Sequence, residues 1–130
     1  MDFIEQAINQ ADLKLTLTKI EDHHYRCEIT SPLAIMNREI HTNDDATADP
    51  DLGQLLYHFT LTAQQIYCSD DFDDWVEEYE IETDKEQALA DYNQLRADTA
   101  ELKGLVGEEV YQELQGALAI SQAMNNAWPG

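Results

Sequence analysis

Acidic side chains clustered between residues 70 and 86 are the most concentrated chemical feature of this chain of 130 residues. The segment has ten aspartate or glutamate residues in 17 positions, and Lys85 is its only basic residue. Residues three and four apart share one face of a helix, so a helix over 70–86 would carry a row of carboxylates opposite an apolar stripe around Trp75. The candidate contacts to a partner are Asp70, Asp71, Asp73, Asp74, Glu77, Glu78, Glu80 and Glu82.

Carboxylates at this spacing could serve acid–base catalysis or bind a divalent cation, and the sequence disfavours both uses. Paired carboxylates act as general acid and base when burial perturbs one of them, and these side chains are predicted to be solvated. The segment 70–74 lacks the glycine and the bidentate spacing of an EF-hand loop. We therefore expect a non-enzymatic protein without a cofactor or a specific metal site.

A second group of residues, His23, His24 and Cys27, has the residue types of a metal site. Side chains alternate between the two faces of a strand, so His23 and His24 would point apart and Cys27 would face inward. We interpret both histidines as exposed turn residues. Cys68 has no basic neighbour in the sequence to lower its pKa, and we interpret it as a small apolar filler.

The overall charge limits the kinds of partner. The chain has 27 acidic and 7 basic residues, a formal charge of −20 and a pI near 4.1. Direct binding to nucleic-acid phosphates or to anionic lipid needs clusters of lysine and arginine, which the sequence lacks. It also contains no signal stretch and no apolar run of the roughly 20 residues that span a bilayer. A cytoplasmic location is the resulting expectation.

Hydrophobic periodicity predicts a small antiparallel sheet followed by helices, which is the α+β class. The predicted elements of the first part are a helix over 2–11, strands over 13–18 and 25–30, and a polar loop over 42–48, with a weaker candidate for a third strand over 36–41, so the sheet is expected to have two or three strands. The length is typical of one domain. We expect a single domain over 1–130, with a helix-and-sheet part over 1–48 and a helical part over 49–130.

Capping residues divide the helical part into about four helices. Asp49 before Pro50 predicts the start of the first, because a proline at the first helical position loses no hydrogen bond. Ser69 is placed to cap the second, and Thr83 with Glu86 forms a predicted capping box for the third. The predicted inner face of the third helix consists of Leu89, Tyr92, Leu95 and Leu102.

The C-terminal segment contrasts with the acidic segment, because residues 114–130 include no charged side chain. Gly104 and Gly107 bracket a predicted break, after which a last helix extends over 108–125. Its apolar residues surround the helix more widely than one buried stripe requires. The segment therefore packs inside the monomer or against a second copy, and the candidate dimer contacts are Leu118, Ile120, Met124 and Trp128.

Residues 51–114 resemble small acidic proteins of bacteriophages and other mobile elements. The matching residues are Leu55-Leu56-Tyr57, Tyr67-Cys68, Phe72-Asp73-Asp74-Trp75, Asp84, Ala88, Tyr92 and Leu105-Val106-Gly107. The sequence departs from that pattern at Glu80-Ile81-Glu82, where a glycine-aromatic turn is usual. The resemblance implies a phage-like viral protein, and such proteins include anti-restriction and anti-CRISPR inhibitors that imitate nucleic acid.

The predicted function combines the acidic segment with this resemblance. We expect a DNA mimic that binds the basic nucleic-acid channel of a host CRISPR effector or a related complex, with no direct contact to nucleic acid and none to membrane. One alternative is an acidic dimeric module for protein–protein interaction that packs through 114–130. A second alternative is that the acidity is a solvated surface of a salt-adapted organism.

Overall fold

The structure is a computed structural model that describes residues 2–45 and 48–127. Its elements are α1 (Asp2–Ala11), β1 (Lys14–Glu21), β2 (His24–Thr30), β3 (Ile35–His41), α2 (Leu52–Tyr67), α3 (Phe72–Glu78), α4 (Lys85–Val106) and α5 (Glu108–Ala127). The predicted α+β class and N-terminal helix are confirmed; of the two or three strands expected, three are present, and the weaker candidate over 36–41 is β3.

The three strands form one antiparallel sheet with β2 at its centre. Leu17 and Arg38 lie opposite Cys27 in the register, one from each neighbouring strand. The inner face of the sheet is buried because alternate side chains turn towards the helices, as the period-two pattern predicts. Its fully covered residues are Tyr25, Cys27, Ile29 and Met36.

The hydrophobic core lies between the inner face of the sheet and helices α1, α2, α4 and α5. Its most completely buried aliphatic residues are Ile29, Leu56, Leu102, Leu105, Leu114 and Leu118. One polar contact crosses this interior: the Gln115 Nε2 donates to the Thr60 carbonyl over 3.1 Å. That bond links α5 to α2, while the Gln115 Oε1 is buried without a hydrogen-bond partner among the described residues.

The predicted start of α2 at Asp49 and Pro50 is wrong by two residues. Asp51 is the N-cap: its Oδ1 accepts from the Gln54 N–H over 2.9 Å, while the Gln54 Oε1 accepts from the Asp51 N–H over 3.4 Å. This reciprocal capping box satisfies two backbone donors at once. Asp49 instead accepts a 2.7 Å hydrogen bond from the Tyr25 hydroxyl, which ties the loop before α2 to the sheet.

The predicted caps of the next two helices are also displaced by a short distance. Asp71, and not Ser69, caps α3, and the Ser69 hydroxyl oxygen is buried without a hydrogen-bond partner among the described residues. Asp84 caps α4 by accepting from the Gln87 N–H over 2.8 Å, so the predicted box at Thr83 is wrong. At both positions the aspartate carboxylate accepts the N3 amide hydrogen and places a negative charge at the partly positive end of the helix.

The end of α4 needs a single glycine. Gly107 has φ +90°, a value that disfavours any residue with a Cβ, and its N–H donates to the Lys103 carbonyl. Gly104, by contrast, lies within α4 with open space around it, so only one of the two predicted break residues acts as one. On the same helix Leu102 is buried as predicted, whereas Leu89 is 43% exposed.

Candidate functional site

The acidic segment does not form one continuous helix, so the prediction of a helix over 70–86 is wrong. Helix α3 has seven residues and is about 10 Å long at the usual rise per residue. It ends in a Schellman motif, in which the N–H of Ile81 donates to the Val76 carbonyl and that of Glu80 to the Glu77 carbonyl. Glu80 has φ +49°, the left-handed conformation that turns the chain away from the helix axis.

The eight predicted carboxylates therefore occupy two kinds of backbone. Asp73, Asp74, Glu77 and Glu78 lie on α3; Asp70 and Asp71 precede it, and Glu80 and Glu82 follow it. We refer to these eight residues as the acidic surface. Seven are exposed and Asp74 is partly buried. The charge is concentrated as predicted, but it is arranged around a short helix and its two flanking turns.

Aromatic side chains hold α3 against the rest of the protein. Trp75 is 3% exposed, and its Nε1 donates to the Gln65 Oε1 over 3.0 Å. The Tyr92 ring of α4 lies 5.3 Å from the Trp75 ring and 5.5 Å from the Phe72 ring, in tilted and edge-on arrangements. Because these rings occupy the inner face, the carboxylates are directed outward. The predicted opposition of aromatic and acidic faces is thereby confirmed.

Two members of the acidic surface also stabilise the start of α3. The Asp71 Oδ1 accepts from the Asp74 N–H over 2.8 Å, and the Asp74 Oδ2 accepts from the Asp70 N–H over 2.9 Å. Carboxylates are favourable at this end of a helix because its amide groups carry partial positive charge. Among the described residues, the other six carboxylates accept no side-chain or backbone hydrogen bond.

The ion pairs that the described residues form lie in other parts of the molecule. Lys19 pairs with Asp22, Arg26 with Glu39, Arg38 with both Asp98 and Glu101, and Lys103 with Glu108. Within the described ranges, no residue of the acidic surface lies within ion-pair distance of a base. Among the residues that the structure describes, the negative charge of this surface consequently has no counter-charge within ion-pair distance.

Cys68, next to the acidic surface, is exposed and is not the apolar filler that the sequence indicated. Partial burial of the sulfur raises the pKa of this thiol above its ordinary value, and the Glu78 carboxylate adds to the effect. Burial also raises the pKa of the Tyr79 hydroxyl, with Cys68 and Glu78 as smaller causes. A thiol held in its protonated form is a poor nucleophile, so this site offers no activated cysteine.

The histidines at the β1–β2 turn engage in local contacts. His23 has φ +62°, and a 3.0 Å hydrogen bond joins its Nδ1 and the Thr42 hydroxyl. The His24 ring stacks on His41 at 4.3 Å, so both turn histidines are partly buried and the prediction that they are exposed is wrong. Cys27 faces the core as expected. In the described part of the chain, no three histidine, cysteine or acidic side chains are placed to hold a metal ion.

The candidate dimer residues on α5 are divided between the interior and the surface. Leu118 is 1% exposed, and its side chain belongs to the interior of the monomer. Ile120 and Met124 expose 64% and 58% of their surface, respectively. Trp128 lies outside the described residues.

Two further observations bear on partners. No helix within the described residues combines the length and the apolar character that crossing a bilayer requires. Comparisons of the chain with protein-family models, with curated proteins and with solved structures found no match. The resemblance to phage proteins therefore depends on the sequence pattern given above.

Proposed function

We propose that this protein is a non-enzymatic, phage-like inhibitor that occupies the basic nucleic-acid channel of a host CRISPR effector or related defence complex. The observation that carries the proposal is the uncompensated acidic surface, whose eight carboxylates have no ion-pair partner among the described residues. Six of those carboxylates accept no hydrogen bond within the described ranges and are available to a lysine or arginine of another protein, whereas Asp71 and Asp74 also cap α3.

The spacing of the carboxylates is compatible with imitation of a nucleic acid. Phosphates of one DNA strand lie about 3.4 Å apart along the duplex axis, and successive turns of an α-helix lie about 5.4 Å apart. Asp73 and Glu77 are separated by one turn of α3, and Glu80 extends the charged series beyond the helix end. A basic channel that binds a phosphate ladder would therefore meet a comparable density of negative charge.

Competition with DNA tests the proposal directly. Purified CRISPR effectors from several bacteria, each with fluorescently labelled target DNA, would be titrated with the protein, and DNA release would be followed by anisotropy. We expect release from at least one effector, with an apparent affinity that falls as salt rises because exposed charges are screened. Retention of DNA by every effector, at low salt and excess protein, would contradict the proposal.

A matched pair of charge reversals separates a local effect from net charge. Glu77→Lys with Glu78→Lys changes the acidic surface, while Glu5→Lys with Glu113→Lys makes the same change in charge on α1 and α5. Glu77 and Glu78 lie at the C-terminal end of α3, where a lysine is favourable to the helix. We expect the first variant to lose affinity at least roughly tenfold more than the second. Equal losses would mean that net charge alone is responsible.

A second candidate function is an acidic homodimeric interaction module, and the exposure of Ile120 and Met124 favours it. The described part of α5 beyond Glu113 has no charged residue, so a second copy could approach there with the least repulsion. Multi-angle light scattering would then give twice the monomer mass, and Ile120→Asp with Met124→Asp would restore the monomer. A wild-type protein that remains monomeric at high concentration would eliminate this candidate.

A further inference from the structure

A groove adjoins the acidic surface where the end of α2, the start of α3 and the middle of α4 meet. Its volume is about 490 Å³. Apolar side chains form much of its wall, namely Ile66, Phe72, Leu89 and Tyr92; two carboxylates, Asp70 and Asp71, stand on one side, and one base, Arg96, stands on the other. The groove is thus both apolar and negatively charged, a combination that the carboxylate row alone does not have.

We propose that this groove binds an aliphatic side chain of a partner segment in which that side chain neighbours arginine or lysine. The groove proposal rests on the proposed function because both concern the same face of the protein. It adds the chemistry of the contact: a basic segment with an apolar anchor, and not a uniformly charged one.

The apolar part of the argument depends on Leu89. Periodicity assigned this residue to the inner face of α4, yet 43% of its surface is exposed. Leu89 and Tyr92 lie three residues apart, so they occupy one face of α4 and line the groove together. A partner methyl or isobutyl group in contact with both would remove apolar surface from water on the two molecules.

The electrostatic part depends on the two sides of the groove. Asp70 and Asp71 flank it near α3, and neither pairs with a base among the described residues. On the α4 side, the guanidinium carbon of Arg96 lies 5.9 Å from the centre of the Tyr92 ring. Arg96 already places a positive charge next to this ring and would repel a second one there. We therefore expect the partner's arginine or lysine on the opposite side of the groove, beside Asp70 and Asp71.

Two labelled peptides test the proposal. One alternates arginine with leucine and the other alternates arginine with serine, so that length and charge are the same and only the apolar anchor differs. Fluorescence anisotropy with the full chain should give roughly tenfold tighter binding of the leucine peptide, which corresponds to partial burial of one side chain. Equal affinities would overturn the proposal.

Two variants test whether the groove is the place where the leucine peptide binds more tightly than the serine peptide. Leu89→Ser should reduce the ratio of the two affinities to near one, and Leu33→Ser should leave it unchanged, because Leu33 is another apolar residue with 67% exposure outside the groove. Thermal melts of both variants verify folding, since exposed leucines contribute little to the core. A preference that survives Leu89→Ser would show that the leucine peptide binds elsewhere, which would also overturn the proposal.

The peptide experiment and the DNA-release experiment can fail independently of each other. Glu77→Lys with Glu78→Lys should weaken both peptides while leaving their ratio intact, because those carboxylates attract charge and do not line the groove. A retained peptide preference without release of DNA from any effector would support the groove and contradict the inhibitor. Release of DNA without a peptide preference would do the reverse.

Discussion

The sheet and the acidic surface differ in the balance and the pairing of their charged residues. From Lys14 to His41 the chain has four basic and four acidic residues, and three of those bases form ion pairs. From Asp70 to Glu82 it has eight acidic residues and no base. The whole of the formal charge of −20 therefore lies outside the sheet.

This difference separates two roles of charged residues. In the sheet, the Arg38 guanidinium binds Asp98 over 3.0 Å and Glu101 over 2.8 Å, so its charge links β3 to α4. On the acidic surface, six carboxylates contribute no such link within the described ranges, and their mutual repulsion opposes folding by a few tenths of a kcal/mol per neighbouring pair. These six carboxylates therefore do not contribute to stability in the way that the paired residues of the sheet do.

The largest expected effect comes from detaching the acidic surface from the core. Trp75→Ala removes the ring that is packed among Phe72, Tyr92 and Gln65, and we expect the free energy of unfolding to fall by about 3–5 kcal/mol. Urea denaturation followed by circular dichroism measures it. Trp75→Phe should lower the free energy of unfolding by markedly less, because it keeps a buried ring and removes mainly the 3.0 Å hydrogen bond from the Trp75 Nε1 to the Gln65 Oε1. A loss below about 1 kcal/mol would mean that α3 is not anchored by this residue.

A smaller effect tests the role of charge in the sheet. Arg38→Met keeps an unbranched stem but deletes both ion pairs with α4, and should cost about 1 kcal/mol in the same assay. Lys14→Met is the matched control, since Lys14 has no ion-pair partner among the described residues. If the two variants had equal stability, the ion pairs of Arg38 with α4 would contribute nothing measurable to the free energy of unfolding.

A gain of stability is expected at the end of α3. Glu80 adopts φ +49°, which glycine accepts without steric cost, so Glu80→Gly should stabilise the protein by about 0.5 kcal/mol after the greater entropy of the unfolded glycine is included. Glu80→Ala removes the same charge but keeps the Cβ. Thermal melts distinguish the causes: equal gains in both variants would indicate charge repulsion and not backbone strain.

The smallest effect concerns the field of the acidic surface at Cys68. The pKa of this thiol is raised by burial and by Glu78, so alkylation by iodoacetamide should reach half its maximal rate at a pH above the ordinary pKa of cysteine. The raised pKa favours the protonated folded state; this contribution to stability is complete below the unfolded pKa and is lost as pH rises through the folded one.

Mass spectrometry of alkylated peptides measures the profile, and the buried Cys27 provides an internal control for unfolding. Glu78→Gln should move the midpoint for Cys68 downward, because it removes a nearby negative charge. A midpoint at or below the ordinary value would show that neither burial nor the acidic surface acts on this thiol.

Much of the fold was predictable because the signals are local. Alternation at Leu13, Leu15 and Leu17 defines a strand with one buried face, and the same rule places Cys27 in the core. Helical periodicity likewise gives the long helices to within a few residues. These patterns depend on the neighbours of each residue along the chain, so no knowledge of distant contacts is needed.

The errors concern competition between equally plausible local signals. Asp49, Asp51, Ser69 and Asp71 all have side chains suited to N-caps, and the sequence does not rank them. The Tyr25 hydroxyl donates a hydrogen bond to Asp49, and Asp51 and Gln54 form the capping box. In the same way, the exposure of Leu89 depends on where α2 and α3 end relative to α4, which periodicity along α4 does not specify.

The amino-acid sequence by itself determined the α+β class, the concentration of carboxylates between residues 70 and 86, and the aromatic face opposite them, since composition and spacing fix these properties. Only the tertiary structure decided that the acidic segment breaks at Glu80, that its charges lack ion-pair partners in the described part of the chain, and that a groove with an exposed leucine lies beside it. Those features depend on contacts among α2, α3 and α4, which bring together residues far apart along the chain.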